Sequence, residues 1–505
     1  MSSLLPFALA AAGGASCFLG FLGFGYWPLA LVCFVPLWQA LELTRSPRLA
    51  IPLGFTFGWV AYAGGYHWIW RIVEVFLGGD VFLGGLVFLA DSAWFALRYA
   101  LYALLYALAR RRGWPVAIAA VPPLLTVEWL YPLLFPLYLG HALAPHLALL
   151  QVSDIGGPLA MTALLGLINV AVFDIWRWAR GETARPVAVC TAMALAVGAC
   201  WIYGVVRLRQ IDARSTNAPA LEVGLVQANL GVHEKGVEAL RDHQRYLEQT
   251  RELLAAGDVD LVIWPETVHT SGLLGPLPIS GSLVRRDITA PLLFGAAFLR
   301  GDSGHQQRYN SALLVGADGV IRSGYDKTFL VPFTEYVPLA DTVPSLAERL
   351  RDTSHFSAGT GLQPLALGAW RISTPICHEA TQPNLVRRMV GEARPHLIAT
   401  LANDSWFGDS QGPWLHLAMA RMRAVENRRW VVRATNSGVS AVIDPVGRTL
   451  LETPTFEQAA RIAEVRYLRS RTPYQLLGDA PYWLALGVAL VLAFRPRRTA
   501  VGPAA

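Results

Sequence analysis

Long apolar stretches separated by short polar ones occupy the first 206 residues of the chain. A helix that crosses a membrane needs about 20 mostly apolar residues. Seven such stretches begin near Leu4, Trp27, Ile51, Val81, Pro115, Pro158 and Pro186, and an eighth covers about 478–496. We therefore predict a multi-span helical membrane domain, with seven transmembrane helices within residues 1–206 and a last one at 478–496.

Residues 131–157 are apolar as well, but Pro, Gly and His interrupt them. Proline and glycine both disfavour a continuous helix. We predict a re-entrant or interfacial segment here rather than a further span.

Arginine clusters follow alternate spans, which predicts the orientation of the chain. They come after the second, fourth, sixth and last spans, and consist of Arg45 and Arg48, Arg110 to Arg112, Arg177, Arg180 and Arg185, and Arg495, Arg497 and Arg498. The positive-inside rule then predicts cytoplasmic termini and a polar insert on the opposite side of the membrane. Arg207, Arg209 and Arg214 follow the seventh span against this rule, which a large translocated domain tolerates.

The polar insert, at about 218–468, alternates strand and helix patterns. Strands are predicted at 223–227, 261–264, 292–299, 311–316, 320–325, 370–376, 397–402 and 439–443, and helices at 237–256 and 414–427. Asp318-Gly319 is typical of a tight turn between two of the strands. Alternation of this kind indicates an α/β domain built in layers.

Composition agrees with a membrane protein. Hydrophobic residues make up 54% of the chain and charged residues 15%, whereas soluble domains have about 25% charged residues. The net charge of +6 is concentrated beside apolar segments, so no nucleic-acid partner is expected. Of the 5 cysteines, Cys377 alone lies in the polar insert, and no CxxC pair indicates a metal site.

Three polar residues follow predicted strands and form a chemically complete set. Glu266, Lys327 and Cys377 stand at the ends of strands, where functional groups often gather. A thiol is a good nucleophile once it is deprotonated. A carboxylate can take its proton, and an ammonium can stabilise the oxyanion of a tetrahedral intermediate. Together, the three residues suffice for acyl transfer.

Each residue taken alone also has a structural interpretation. A cysteine at the end of a buried strand is more often a small hydrophobic residue. Glu266 could instead sit at a helix N-terminus, and Lys327 could be a solvated loop residue. The residue types therefore leave both interpretations open.

Longer motifs around the three residues resemble one family. Residues 263–267 (Ile-Trp-Pro-Glu-Thr) resemble the glutamate motif of the nitrilase superfamily. Residues 325–338, from Tyr-Asp-Lys to Val-Pro, and residues 376–379 (Ile-Cys-His-Glu) resemble the lysine and cysteine motifs of apolipoprotein N-acyltransferases. The segments 403–408, 419–424 and 435–438 continue in the family's order, and residues 128–130 (Glu-Trp-Leu) extend the resemblance into the membrane part.

The resemblance implies a fold and a role for each residue. The insert would be an αββα nitrilase-like sandwich on the periplasmic side of a bacterial inner membrane. Cys377 would be the nucleophile, Glu266 the general base and Lys327 the oxyanion stabiliser. Glu335 would support the lysine, and Glu379 matches the glutamate of the cysteine motif. His378 stands beside the nucleophile, where it would have a supporting role.

The chain departs from the family pattern at a few positions. His378 replaces the usual tyrosine, Thr334 replaces a glycine, and Gly236 follows Lys235 where tryptophan is common. These changes spare the catalytic trio. They affect any role of aromatic residues in holding acyl chains, for which we consider Trp406 and Phe407 the best candidates, since a strand-end loop in a soluble domain rarely carries such a pair.

The implied reaction is transfer of an acyl chain from a phospholipid, with phosphatidylethanolamine the expected donor. The acceptor would be the α-amine of a diacylglyceryl-cysteine lipoprotein, and the carrier would be a thioester on Cys377. No cofactor is needed. Two alternatives remain open: a membrane-tethered amidase or nitrile hydrolase that uses water, and a non-enzymatic scaffold or transporter.

Overall fold

The computed structural model describes residues 4–21, 23–70, 80–136, 138–231, 239–301, 306–338, 342, 348 and 355–495. The chain divides into two compact units, Met1–Arg207 with Leu476–Ala505, and Leu208–Gln475. The first unit is helical, and the second contains every described strand. Lys235 and Gly236, one of the departures from the family pattern, lie outside the described residues.

A helix lies at each of the eight positions where the apolar pattern predicts a span. The α-helices of the first unit are Leu5–Leu19, Phe34–Thr44, Pro47–Gly65, Val81–Arg111, Val116–Leu130, Leu147–Leu150, Ser153–Ala179, Val187–Thr216, whose last residues belong to the second unit, and Ala480–Phe494, with 3-10 helices at Trp27–Leu31 and Leu139–Leu143. Four described segments are long and apolar enough to cross a membrane, namely Trp27–Thr44, Val81–Arg111, Ser153–Ala179 and Val187–Thr216. Three shorter apolar helices accompany them, Leu5–Leu19, Val116–Leu130 and Ala480–Phe494.

The interrupted segment at 131–157 is irregular and ends earlier than predicted. Its 3-10 helix Leu139–Leu143 is buried, and a regular helix already begins at Ser153. Gly156 and Gly157 then depart from helical dihedral angles, with φ of +60° at Gly157. This kink explains why the pattern predicts a span that begins only at Pro158.

A buried ion pair braces this irregular segment. Arg98 Nη2 lies 3.3 Å from Glu128 Oε1, and both side chains are buried. Glu128 also accepts hydrogen bonds from the backbone N–H of Leu139 (3.1 Å) and the Thr162 hydroxyl (2.7 Å). A buried carboxylate is tolerated only when it is paired in this way. Glu128, part of the motif noted in the membrane segment, therefore joins its own helix to three other helical segments.

The second unit contains two β-sheets. The strands are β1 Ala220–Gln227, β2 Leu261–Ile263, β3 His269–Leu274, β4 Ile279–Ser280, β5 Leu292–Arg300, β6 Gln307–Val315, β7 Val320–Asp326, β8 Leu365–Leu367, β9 Trp370–Ser373, β10 Leu397–Ala402, β11 Trp430–Thr435, β12 Ala441–Ile443, β13 Thr449–Glu452 and β14 Ala459–Arg466. One sheet has the order β14-β1-β2-β5-β6-β7-β4, with β3 paired to β5, and the other has the order β13-β12-β11-β10-β9-β8. Its α-helices are Ala239–Ala256, Ser282–Arg285, Pro383–Ala393, Gly412–Asn427 and Pro473–Leu477, and 3-10 helices lie at Cys377–Thr381 and Asp404–Phe407.

Three apolar cores show that these elements form four layers. The central core joins the facing sheets, with Leu225 and Ile263 from one and Ala399 and Val432 from the other. A second core packs the helix Ala239–Ala256 on the outer face of the first sheet. A third packs the helices Pro383–Ala393 and Gly412–Asn427 on the second sheet. The predicted αββα sandwich is therefore confirmed.

Most predicted strands are confirmed, and the strand predicted at 370–376 is the one that is shortened most. The strand predicted at 370–376 ends at Ser373, and only a single bridge pairs Ile376 with Leu401. Proline has no N–H to donate to a strand ladder, so Pro375 interrupts the pairing. The strands β10 and β11 are buried along their whole length, as expected of parallel strands covered on both faces.

Candidate active site

Glu266 is positioned by a close approach of two backbone segments. It follows β2 after Trp264 and Pro265, and Thr267 takes a positive φ of +49°. Gly295 of β5 donates its N–H to the Pro265 carbonyl (3.0 Å). A Cβ on Gly295 would lie 2.3 Å from the Thr267 nitrogen, so a larger residue would push the Glu266 loop away. Gly295 thus fixes the place of the carboxylate.

Lys327 joins two carboxylates in the interior. Its Nζ lies 2.9 Å from Glu335 Oε1 and 3.4 Å from Glu266 Oε1, and its side chain is 1% exposed. The Asn310 side-chain amide donates to the same two oxygens, at 2.8 Å to Glu266 and 2.9 Å to Glu335. Two residues that the sequence analysis singled out are therefore brought together, and Glu335 takes the place beside the lysine that the family resemblance implies.

The electrostatic surroundings keep Lys327 charged. Burial by itself lowers the pKa of a lysine, but the negative charges of Glu335 and Glu266 outweigh it and raise the pKa of Lys327 well above its usual value. The ammonium is therefore available as a fixed positive charge at neutral pH.

Cys377 sits at a strained turn directly after the bridge residue Ile376. Its φ is +52°, uncommon for a residue other than glycine, and it opens the 3-10 helix Cys377–Thr381. Strain of this kind tends to occur at functional sites. Burial and the charge of Glu266 raise the pKa of the Cys377 thiol, whereas Lys327 and the backbone N–H of Asn403 oppose the rise. The charges of Glu266 and Lys327 therefore both act on the thiol.

Glu379 ties the cysteine turn to the lysine loop. Its Oε2 accepts the Ile376 N–H at 2.8 Å. Its Oε1 accepts four hydrogen bonds, from the Tyr325 hydroxyl (2.8 Å), the Thr328 N–H (2.7 Å) and hydroxyl (3.0 Å), and the Phe329 N–H (3.0 Å). Burial raises the pKa of Glu379. Because these donors come from residues on both sides of Lys327, Glu379 sets the distance between Lys327 and Cys377.

A second buried network, which the sequence analysis missed, supports the cysteine from the other side. His416 Nε2 lies 3.2 Å from the Cys377 carbonyl, and its Nδ1 lies 2.9 Å from Asp404 Oδ1. Arg433 donates to Asp404 Oδ2 at 2.5 Å. Although burial raises the pKa of Asp404, the charges of Arg433 and His416 outweigh it and lower that pKa. The segment 403–408 is part of a family motif, but nothing local indicated its partners.

The remaining candidates occupy different environments. His378 is 2% exposed and stacks on Phe329 with ring centroids 5.7 Å apart. Phe407 is 6% exposed and packs edge-on against His416, whereas Trp406 is half-buried. The Thr334 hydroxyl donates to the Val331 carbonyl (3.2 Å). Of the proposed lipid-contact pair, Trp406 is therefore the more accessible residue, and the lipid contact stays a prediction.

Replacing Lys327 by methionine should destabilise the protein. The change leaves Glu266 and Glu335 buried without their cation, and breaking a buried pair costs about 3–5 kcal/mol. We expect a lower midpoint of thermal unfolding, followed by tryptophan fluorescence in detergent micelles. Adding Glu335→Gln removes one buried charge and should recover much of the loss. An unchanged midpoint for Lys327→Met would contradict the proposed burial of the network.

The chain matches two family models. Residues 222–472 match the carbon-nitrogen hydrolase family, and residues 13–171 match the apolipoprotein N-acyltransferase N-terminal domain. The two models cover the layered unit and most of the helical unit.

Relatives align over nearly the whole chain. The apolipoprotein N-acyltransferase of Geobacter metallireducens is 32% identical and that of Azotobacter vinelandii 34% identical, each over 98% of this chain and 96% of the relative. The apolipoprotein N-acyltransferase of Pseudomonas putida is 33% identical over 96% of this chain and 95% of the relative. Identity at this level over both units shows that the chain belongs to the apolipoprotein N-acyltransferase family.

Proposed function

We propose that Cys377 carries an acyl chain as a thioester between a phospholipid donor and a lipoprotein acceptor. The observation that carries the proposal is the buried network of Glu266, Lys327 and Glu335, in which the charges of Glu266 and Lys327 act on the Cys377 thiol. It supplies a base, a fixed cation and a nucleophile within one buried site. Membership of an N-acyltransferase family gives the reaction class.

In the first step, the thiol attacks the carbonyl carbon of a phospholipid ester. Because the pKa of the Cys377 thiol is raised, the thiol is protonated at neutral pH and needs a base at the moment of attack. Glu266 takes the proton as the sulfur–carbon bond forms, and Lys327 stabilises the oxyanion. The carbon–oxygen ester bond then breaks, and the leaving oxygen receives the proton from Glu266. The products are the thioester and a lysophospholipid.

In the second step, the α-amine of the acceptor attacks the thioester. A nitrogen–carbon bond forms, the sulfur–carbon bond breaks, and Glu266 passes a proton from the amine to the departing sulfur. Lys327 again faces the oxyanion. Water must stay away from the thioester, since its attack would release a free fatty acid instead. A buried network of this kind is consistent with that demand.

The expected donor is phosphatidylethanolamine, and the expected acceptor is the diacylglyceryl-cysteine of a bacterial lipoprotein. We place the catalytic unit on the periplasmic side of the inner membrane, with both termini in the cytoplasm. The alternation of arginine clusters between the spans supports this orientation. Lipid substrates account for the combination of apolar helices with a hydrolase-like fold in one chain.

The rival interpretation is a membrane-tethered amidase that discharges the same cysteine with water. The matched N-acyltransferase N-terminal model and the full-length relatives favour transfer over hydrolysis. The geometry of the trio alone serves both reactions. The two are therefore separated by the fate of the acyl group.

A two-stage experiment tests the proposal. Purified full-length protein is incubated with phosphatidylethanolamine and then passed to a synthetic diacylglyceryl-cysteine peptide. We expect one acyl mass on the Cys377 peptide and lysophospholipid in the first stage, and N-acylated peptide in the second. The acyl mass should be labile to hydroxylamine.

Either of two results would contradict the proposal. Free fatty acid in place of acylated peptide would indicate the amidase. An intact phospholipid and an unmodified Cys377 would rule out Cys377 as the carrier. A Glu248→Gln variant, changed on the outer helix Ala239–Ala256, is a suitable control and should behave as the unmodified protein.

A further inference from the structure

Four arginines line a cavity that the proposed reaction does not use. The cavity has a volume of about 290 Å³, and its walls are Val390, Gly391, Arg394, Arg429, Arg469, Arg471 and Gln475. No carboxylate lines it. Its volume is at the small end of the range for ligand sites, about 300–1,000 Å³. Together with the charged walls, this size suits a small anionic group rather than an acyl chain.

The cavity lies away from the catalytic residues. Arg394 comes shortly before β10 and Arg429 directly before β11, so the cavity is at the amino-terminal edge of these parallel strands. Cys377 and Asp404 follow the carboxyl ends of β9 and β10. A strand rises about 3.3 Å per residue, so the length of β10 separates the two places by roughly 20 Å. The cavity is thus a separate feature of the same unit.

Arg429 is built into the cavity wall as a rigid cation. It is 2% exposed, and its hydrogen bonds use Nε, to the Pro395 carbonyl (2.5 Å), and Nη1, to the carbonyls of Asn427 (3.2 Å), Arg428 (3.0 Å) and Ser470 (2.7 Å). Carbonyls satisfy these donors without neutralising the charge. In the part of the chain that the structure describes, Nη2 has no such bond and is the donor left for a ligand.

The arginines also raise the local positive potential. Burial and the charge of Arg469 lower the pKa of Arg429 to about 10. Burial and the charges of Arg429, Arg469 and Arg371 lower the pKa of the nearby His396 to about 4. Among the described residues, none of Arg394, Arg429, Arg469 and Arg471 forms an ion pair. Mutual repulsion of this kind is relieved by a bound anion.

We propose that this cavity binds the phosphate of an anionic membrane phospholipid, at a site separate from Cys377. Arginine is suited to phosphate because its planar fork donates two parallel hydrogen bonds. Four arginines line the cavity and one of them is immobilised, so the wall carries the positive charge that such a ligand requires. The bound lipid would hold the catalytic unit at the bilayer surface and would not be the acyl donor.

Chain connectivity favours a lipid over free phosphate as the source of that group. Arg471 stands nine residues before Ala480, where the apolar helix Ala480–Phe494 begins. Nine extended residues reach at most about 30 Å, so the chain tethers Arg471 to an apolar helix, and lipid phosphates are concentrated at the surface of a membrane.

Native mass spectrometry of the full-length protein in a neutral detergent tests the proposal. The probes are phosphatidylglycerol, zwitterionic phosphatidylcholine and inorganic phosphate. We expect selective retention of phosphatidylglycerol, weakened about tenfold or more in Arg469→Gln/Arg471→Gln, because each change removes a charged hydrogen-bond donor. The matched control Arg388→Gln/Arg461→Gln removes the same charge from exposed positions and should bind as the unmodified protein.

The outcomes are distinct. Equal loss in both double variants would indicate general surface charge and overturn the proposal. Equal binding of phosphatidylglycerol and phosphatidylcholine would also overturn the proposal. So would unchanged binding of phosphatidylglycerol by the Arg469→Gln/Arg471→Gln variant. Binding of inorganic phosphate without phosphatidylglycerol would make this a free-phosphate site and overturn the lipid assignment. Acyl transfer is assayed in parallel, and its retention in the cavity variant shows that the fold is intact and keeps this result separate from the proposed catalytic function.

Discussion

Replacing Cys377 by alanine should abolish acyl transfer, with a fall in kcat of about 10⁶-fold, as when the nucleophile of other acyl-transfer enzymes is removed. The reason is chemical. Glu266 can activate a nucleophile and Lys327 can stabilise an oxyanion, but neither can carry the acyl group. The described site offers no second thiol, since the other four cysteines lie in the helical unit. Methods that follow N-acylation of a synthetic diacylglyceryl peptide measure this effect directly.

The fold of the alanine variant should be unaffected, which makes the result interpretable. Cys377 is half-buried, and among the described residues its side chain forms no disulfide, so its replacement by alanine changes the packing little. The midpoint of thermal unfolding serves as the control. Acyl transfer at a tenth of the normal rate by a folded alanine variant would refute a thioester on Cys377.

Replacing Glu266 by glutamine should lower acyl transfer by about 10²–10⁴-fold, the usual contribution of a general base. The amide keeps the size of the side chain and can still accept a hydrogen bond from Lys327, but it cannot take the proton of the thiol. Because the thiol's pKa is raised, almost none of it ionises spontaneously at neutral pH. The residual rate should therefore depend on the small thiolate fraction.

This dependence gives the glutamine variant a characteristic pH profile. The thiolate fraction grows about tenfold per pH unit below the thiol's pKa, so the residual rate should rise with pH in that range. The charge of Glu266 helps to raise the Cys377 pKa. Removing that charge therefore lowers the pKa and shifts the increase in the residual rate to lower pH. Initial rates between neutral and alkaline pH measure the slope.

Glu335→Gln is the matched control for this profile. Glu335 contacts the same Lys327 and Asn310 atoms as Glu266, but it is not among the groups that raise the Cys377 pKa. The Glu335→Gln variant should retain the general base Glu266, and its rate should not rise with pH as the rate of the Glu266→Gln variant does. Identical pH profiles for the two variants would contradict Glu266 as the base and would indicate that both carboxylates only position Lys327.

The local pattern located much of the catalytic unit in advance. The run 397–402 is mostly apolar and only six residues long, a length that suits a strand buried on both faces better than a helix, so it predicts β10. The motifs located Glu266, Lys327 and Cys377 individually. The pattern missed β14, because its identity depends on antiparallel pairing with β1, which is more than 230 positions earlier in the chain.

The sequence did not reveal the supporting residues of the site, because their partners are also far away in the chain. Asn310 is a single polar residue within β6, and its importance appears only when its amide reaches Glu266, 44 positions away. Asp404, His416 and Arg433 come from three elements and meet only in the folded interior. Each would look like an ordinary polar residue if its neighbours in the chain were the only information.

The sequence by itself determined where the apolar helices lie, that the insert is an α/β domain, and which three side chains we propose as catalytic, since these depend on runs of about 20 residues or on short motifs. Tertiary structure alone decided that Lys327 is shared by Glu266 and Glu335, that Glu379 joins the lysine loop to the cysteine turn, and that four arginines line one cavity. Buried charges are tolerated only with partners, and those partners are brought together by packing between distant segments rather than by neighbours in the chain.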